Sequence, residues 1–132
     1  MFKERIYGSY GQVTIGTKSF KVEVADTPEK QIAGLAGRKF LNGIDGMLFV
    51  FGEPAVEHFT MKGMEFPLDF IWIKDGKIID ITSNAPPDKG EADYAAKYGE
   101  VTEVLELPAG IARRYSFDLG QRVKIELPDK SN

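Results

Sequence analysis

Three apolar runs in the middle of the chain constrain its fold more than any other feature of the sequence. They span residues 46–51, 58–62 and 66–73, and they contain few polar residues. Asp69 is the carboxylate inside the last and most apolar of these runs. A charge in such surroundings must find a partner or change its protonation state. Asp69 is therefore either a structural anchor or part of a functional site.

The length and patterning of the chain predict a single, mainly β domain over residues 1–132. A chain of 132 residues fits one domain with one hydrophobic core. Short segments that alternate apolar and polar residues, separated by turn residues, predict a small antiparallel β-sandwich or distorted barrel with two short helices. We expect seven or eight strands. The run at 46–51 is apolar on both alternating faces, which predicts a central strand covered on both sides.

Turn and capping residues locate most of the other elements. Alternating segments at 12–15 and 20–24 flank a glycine-containing turn and predict an N-terminal hairpin. An N-cap residue, a proline in the first turn and a capping-box acid predict a helix from about residue 28 to 36. A second short helix is predicted at 108–115, before a last half-buried strand at 122–127.

A hairpin between residues 68 and 83 brings two carboxylates together in the predicted register. The Asp-Gly pair at 75–76 favours a two-residue type I′ turn. That turn places Asp69 opposite Thr82, and it puts Asp80 on the same face, diagonal to Asp69 at roughly 7–8 Å. The alignment depends on the loop length, because a slip of one residue moves the side chains of a strand to the other face.

Basic residues near Asp69 in the predicted fold suggest a ligand site. We expect Arg38, Lys62 and Asp69 to form it, with Asn84 and the rest of the irregular segment 84–91 nearby. This segment contains prolines, a glycine and charged residues, and loops of this kind often contact ligands. The structural alternative is that Lys62, Arg38 or backbone amides hold a buried Asp69 carboxylate.

The two carboxylates of the hairpin are the candidates for catalysis. Asp69 and Asp80 at this separation could flank a water as the acid and base of a hydrolase that acts on a glycan or a similar polar substrate. His58 is the single histidine, which excludes sites that need two imidazoles, and we interpret it as an ordinary strand histidine. The chain also lacks the Gly-x-Ser-x-Gly motif of many serine hydrolases.

Composition excludes several classes of partner and cofactor. The 17 basic and 20 acidic residues give a net charge of -3, so nucleic acid is not an expected partner. The absence of cysteine removes disulfides, thiol nucleophiles and cysteine-ligated zinc. We predict no metal site and no cofactor. The partner would be a small molecule or a protein, and we expect a monomer or a weak dimer.

The sequence contains no apolar stretch as long as a membrane-spanning helix. The first residues also lack the apolar core of a secretory signal. We therefore expect a cytoplasmic protein as the sequence is written, or an exported protein if an N-terminal signal has been removed.

Short blocks along most of the chain match one known pattern in the same order. The blocks are residues 34–35 with Arg38, 46–51, Phe59 with 61–62, 67–69, 104–107 with 109–110, and Gly120. Together they resemble the signature of the domain of unknown function 192 family over about residues 22–125. The resemblance implies a small, mostly β structure of sandwich or distorted-barrel type, often found in exported bacterial or archaeal proteins, with no established activity.

The sequence favours a binding function over catalysis. The chain departs from the family pattern at Ala36, Thr60, Gly63 and Met64, so a ligand contact made there by relatives would be altered here. Since no complete catalytic constellation is present, we interpret the chain as a ligand-binding or accessory module. The alternatives are the carboxylate hydrolase described above and a protein-interaction or structural domain.

Overall fold

The computed structural model describes residues 9–128, which form seven strands and two short helices. The strands are β1 (Ser9–Ile15), β2 (Lys18–Ala25), β3 (Gly46–Ala55), β4 (Leu68–Lys74), β5 (Lys77–Ala85), β6 (Val101–Pro108) and β7 (Val123–Glu126). The helices are α1 (Pro28–Ala33) and α2 (Ile111–Arg114). The prediction of a mainly β fold with two short helices is confirmed.

All seven strands belong to one curled sheet, in the order β5-β4-β6-β3-β2-β1-β7. Neighbouring strands are antiparallel except β2 and β3, which run parallel and are joined by a crossover that contains α1. The two outer strands meet at one end, where the amides of Ile78 and Val123 donate to the carbonyls of Gln121 and Gly76 at 3.0 and 2.8 Å. The sheet is thus a half-barrel, and β3 lies at its centre as predicted.

Each face of the sheet carries its own apolar cluster. The inner cluster draws side chains from all seven strands and from α2, and it fills the inside of the curl. The outer cluster lies under the long connections, and it is centred on three fully buried side chains, Phe49, Phe70 and Trp72. Because both faces are covered, β4 is buried along nearly its whole length. Neither helix within residues 9–128 has the length and apolar composition of a transmembrane segment.

The N-terminal hairpin and both helices occur where the sequence predicts them, but the helices are shorter. The pairing of β1 with β2 continues to Ile15 and Lys18, which lie next to the turn. α1 starts after Thr27, whose hydroxyl accepts from the Lys30 amide at 3.3 Å, and it stops at Gly34, where φ is +49°. α2 has a single turn because the preceding residues still belong to β6.

The hairpin of β4 and β5 keeps its predicted register only beside the turn. Ile73 lies opposite Ile78, as the two-residue loop requires. The next pair is Trp72 with Asp80, so Ile79 is an extra residue on β5 and forms a bulge. From that point to Phe70 the two strands are offset by one residue from the predicted alignment, and a second irregularity beyond Phe70 places Leu68 opposite Ala85.

The bulge overturns the predicted position of Asp69. Thr82 lies opposite Phe70, and the prediction that Asp69 faces Thr82 is wrong. Asp80 lies opposite Trp72, so both side chains are on the outer face. The two chain neighbours of Asp69 have side chains in the outer cluster, so the Asp69 side chain points to the inner face. The two carboxylates therefore lie on opposite faces of the sheet, and the diagonal pair predicted for the hairpin does not form.

Candidate functional site

Asp69 is fully buried, and three backbone amides of the described chain hold its carboxylate. Oδ1 accepts from the amide of Asn84 at 2.9 Å, and Oδ2 accepts from those of Gly110 and Ala112 at 3.1 and 3.0 Å. The last two amides open α2, whose own N-cap is a glycine without a side-chain hydrogen bond. Asp69 thus caps α2 from a distant strand and ties it to β4 and the end of β5.

Asp80 also accepts hydrogen bonds from backbone amides, but it does so on the outer face of the sheet. Its Oδ1 accepts from the amide of Ile81 at 2.8 Å, and its Oδ2 accepts from the amide of Lys97 at 2.7 Å. These bonds fasten the connection between β5 and β6 to the edge of the sheet. Because Asp69 and Asp80 lie on opposite faces, they cannot flank one scissile bond as acid and base.

The four residues predicted to bind a ligand do not meet in one pocket. Arg38 forms a two-point ion pair with Glu23 of β2, with Nη–Oε distances of 2.9 and 3.1 Å. Asn84 is exposed, and its backbone amide donates a hydrogen bond to Asp69. Lys62 is exposed, and no carboxylate of residues 9–128 forms an ion pair with it. Of these four, Lys62 lines the cavity described next.

A cavity of about 400 Å³ lies on the outer face of the sheet. α1 forms one wall, β3 forms the floor, and the segment that follows β3 closes the opposite side. The larger apolar side chains that line the cavity are Ile32, Leu35, Phe49, Phe51, Phe59 and Met64. The volume falls within the range of small-molecule sites, which is about 300–1,000 Å³.

The buried polar group of this cavity is the carboxyl of Glu106. On β6 this residue pairs with Met47 and Phe70, so its side chain points to the outer face among apolar neighbours. It is 4% exposed, and nothing in residues 9–128 forms a hydrogen bond or an ion pair with its carboxyl. Burial raises the pKa of the Glu106 carboxyl from 4.5 to about 8. The group is therefore mostly protonated at pH 7, with one donor and its acceptor capacity unused.

Aromatic rings form much of the remaining cavity surface. The rings of Phe49 and Phe59 meet edge to face with centroids 4.8 Å apart, and Phe51 approaches Phe59 edge to face at 6.4 Å. A two-way backbone bridge to Tyr94, with N–O distances of 2.8 and 2.9 Å, fixes the position of Phe59. The ring surface is thus held in place before any ligand arrives.

Charged residues at the rim are more exposed than Glu106. His58 is exposed in the segment after β3, and its Nδ1 lies 2.8 Å from Oδ2 of Asp93. The interpretation of His58 as a strand histidine is wrong, because β3 ends before it. Glu57 is half-buried. Lys62 forms an isolated backbone bridge with Asp88, which brings the predicted 84–91 loop beside the rim.

Sequence reasoning missed Glu106, although a signal for it was present. The residue is flanked by Leu105 and Leu107 in an apolar strand, as Asp69 is flanked by apolar residues in its own run. The criterion that singled out Asp69 therefore applies equally to Glu106. Across the described part of the chain, no group of three or more His, Asp or Glu side chains could hold a metal ion.

Two solved structures are similar to this one in both sequence and fold. A protein from Sinorhizobium meliloti 1021, described as a candidate transcription regulator, is 32% identical with a TM-score of 0.83, covering 92% of this chain and 97% of that one. A protein of unknown function from Novosphingobium aromaticivorans DSM 12444 is 30% identical with a TM-score of 0.75, covering 87% and 83%. No curated protein matches the sequence.

A family model matches most of the chain. The model is DUF192, with the description "Uncharacterized ACR", and it matches residues 11–125. The match includes every strand that lines the cavity, and it confirms the resemblance seen in the sequence blocks. The chain therefore belongs to the DUF192 family.

Proposed function

We propose that this protein is a small-molecule binding module whose site is the cavity between α1, β3 and the segment 57–64. The observation that carries the proposal is the Glu106 carboxyl, which lines an apolar cavity and has no partner in the described chain. A buried polar group without a hydrogen bond destabilises a fold by about 1–3 kcal/mol. A ligand that forms a hydrogen bond with Glu106 would remove this cost, and its removal would add to the binding affinity.

The cavity walls suit a ligand that is mainly apolar. Phe51, Phe59 and Met64 are half-buried and offer contact surface, and burial of apolar area contributes about 25 cal/mol per Å². Glu106 would orient the polar end of such a ligand, while Lys62 lies at the rim, where it can contact a group that extends into solvent. A few placed polar groups among apolar and aromatic side chains are the usual composition of a small-molecule site, and Glu106 is the buried polar group of this one.

The hydrolase alternative has no comparable support. It requires Asp69 and Asp80 in one cleft, whereas these residues lie on opposite faces and their oxygens hold backbone amides. The interaction-domain alternative calls for an exposed apolar patch or an open sheet edge. Ile32 and Phe40 are large exposed apolar side chains, which fits the first feature, whereas the two outer strands are hydrogen-bonded to each other at one end. Neither alternative accounts for the unpartnered carboxyl of Glu106.

A regulatory role through DNA contact is not part of the proposal. The Sinorhizobium protein is described as a candidate transcription regulator, but the net charge of this chain is -3. Neutralisation of phosphates by basic residues supplies most of the affinity in non-specific DNA binding. If this chain takes part in regulation, the cavity favours a mechanism in which the chain binds a small molecule.

The test is a titration with two matched probes, 2-phenylethanol and 2-phenylethylamine, followed by ¹H–¹⁵N NMR. We expect at least one probe to bind saturably and to shift the amides of residues that line the cavity. Ala33→Phe places a large side chain at the α1 wall and should abolish these shifts. Glu29→Phe on the same helix, outside the cavity lining, should not. If neither probe saturates, or if shifts persist in Ala33→Phe, the proposed site is wrong.

A further inference from the structure

We infer, on the basis of the proposed function, that the cavity selects a primary ammonium group carried on a compact apolar body. The ammonium N–H donates to the Glu106 carboxylate, and the body packs against Phe51 and Phe59. The apolar side chains alone leave the class of ligand open. The buried acid, the ring surface and the proton balance of this one cavity define it.

The titratable groups of the cavity suit a cationic ligand, because the buried one is an acid. Glu106 is the buried titratable side chain in the lining, and the more exposed titratable groups there are Glu57, His58 and Lys62. Within the described residues, α1 and β3 contribute no titratable side chain to the lining. His58 already has an acidic neighbour in Asp93 at 2.8 Å. The group that a ligand meets in the interior is thus an acid with no cation beside it.

The aromatic lining favours the same class of ligand. A cation near the face of an aromatic ring is attracted by its quadrupole, and the attraction grows when the site is shielded from water. Phe49, Phe51 and Phe59 all line the cavity, and the contacts between their rings hold them together. An anionic ligand would instead meet the Glu106 carboxyl without a buried counter-charge. A neutral ligand could use the hydrogen bond but not the ionic attraction.

Binding of an ammonium ion to this site must release a proton. Before binding, the Glu106 carboxyl is protonated at neutral pH, because burial raises its pKa to about 8. After binding, the carboxylate is ionised and accepts from the ammonium, and the proton of the carboxyl passes to solvent. Affinity should therefore rise about tenfold per pH unit below pH 8 and level off above it. A neutral ligand, which accepts from the protonated acid, gains nothing from a rise in pH.

Calorimetric titrations at pH 6, 7 and 8 with the two matched probes test this inference. We expect 2-phenylethylammonium to bind at least about tenfold more tightly than 2-phenylethanol at pH 8, since the hydrogen bond is charge-assisted. Its affinity should increase with pH, and binding at pH 6 should release about one proton per site, measured in buffers of different ionisation enthalpy. The affinity of 2-phenylethanol should stay flat or fall.

Variants assign the effect to Glu106. Glu106→Gln keeps the side-chain size, and it should weaken ammonium binding about 30-fold or more at pH 8, because truncation of one partner in a buried charge pair is costly. The variant should also lose the pH dependence, while its affinity for 2-phenylethanol stays similar. His58→Gln should keep the pH dependence, and so should Glu53→Gln, a charge change outside the cavity lining. Loss of the slope in His58→Gln would overturn the assignment.

The outcomes separate the inference from the function on which it rests. Stronger binding of the ammonium probe with proton release supports both. Equal or stronger binding of 2-phenylethanol overturns the ammonium inference and leaves a binding module for neutral molecules. Absence of saturable binding by either probe overturns the proposed function, and the inference with it.

Discussion

Glu106 pairs with Phe70, the residue that follows Asp69, so Asp69 and Glu106 point to opposite faces of adjacent strands. Both carboxyl groups are almost completely removed from solvent. Asp69 is held by three backbone amides, whereas Glu106 has no partner within residues 9–128. Hydrogen bonds compensate the burial of Asp69, and nothing in the described chain compensates that of Glu106. This contrast gives Asp69 a structural role and is the reason why Glu106 is proposed as the ligand contact.

Asp69→Ala should lower the free energy of unfolding by about 3–5 kcal/mol, because it leaves three backbone amides without an acceptor, and that of Ala112 is buried. Asp118→Ala is the matched control, since Asp118 is exposed and should contribute less than about 0.5 kcal/mol. Urea unfolding followed by Trp72 fluorescence measures both. A loss below about 1 kcal/mol for Asp69→Ala would contradict the capping role, because a single buried amide left unpaired costs at least that much.

Gly46→Ala should destabilise the protein by about 1–3 kcal/mol, the usual cost of an inserted methyl group in a packed region. A Cβ at Gly46 would lie 2.9 Å from Cδ2 of Leu107 and closer still to the carbonyl oxygen of Glu106. Gly52→Ala on the same strand is the control, because a Cβ at Gly52 would have no atom of another residue within 4 Å beyond its chain neighbours. Chemical denaturation should show Gly52→Ala unchanged or stabilised by up to about 1 kcal/mol. Equal stabilities for the two variants would refute the close approach of β3 and β6.

The sequence predicts most of the fold because its signals are local. Turn residues between β1 and β2, the N-terminal signals of α1 and the two-sided apolar pattern of β3 all act within a few residues. The β4–β5 register fails because the bulge at Ile79 has no marker such as glycine or proline. Its position depends on how the edge strand is packed, and a single sequence does not encode that in a local pattern.

The candidate site was harder to predict than the fold because its residues meet through tertiary contacts. Asp69 is flagged by its apolar neighbours, but the amides of Gly110 and Ala112 come from more than 40 positions along the chain. Glu106 carries the same local signal. What distinguishes it is the absence of a partner within residues 9–128 and the cavity beside it, and both depend on the placement of α1 and Phe59.

The Arg38–Glu23 pair should contribute to stability and not to ligand binding. A double-mutant cycle with Arg38→Ala and Glu23→Ala should give a coupling of about 0.5–1 kcal/mol, as expected for partly exposed pairs. The coupling should shrink as salt rises from low ionic strength to about 1 M, because the Debye length falls to about 3 Å. Arg38→Ala should leave probe binding unchanged, since Arg38 lies outside the cavity lining. Weaker probe binding by Arg38→Ala would contradict this expectation and would mean that Arg38 belongs to the ligand site.

Glu106 should make the protein less stable as pH rises from about 5 to 8. In the unfolded chain the carboxyl loses its proton near 4.5, whereas the folded protein keeps it up to a pKa of about 8. Between these values the folded state binds more protons than the unfolded state. The free energy of unfolding should therefore fall by up to about 1.4 kcal/mol per pH unit, and the contribution should be constant below 4.5 and above 8.

Urea unfolding of the parent protein and Glu106→Gln at pH 5, 6, 7, 8 and 9 isolates this contribution. The stability of Glu106→Gln relative to the parent should increase steadily from pH 5 to 8 and then stay constant, because glutamine does not titrate. Glu126→Gln, which removes an exposed carboxyl on β7, should follow the parent at every pH. If the Glu106→Gln and parent curves ran parallel, the carboxyl would have a partner or contact with water in the folded state, and the cavity would lose the group that defines its ligand.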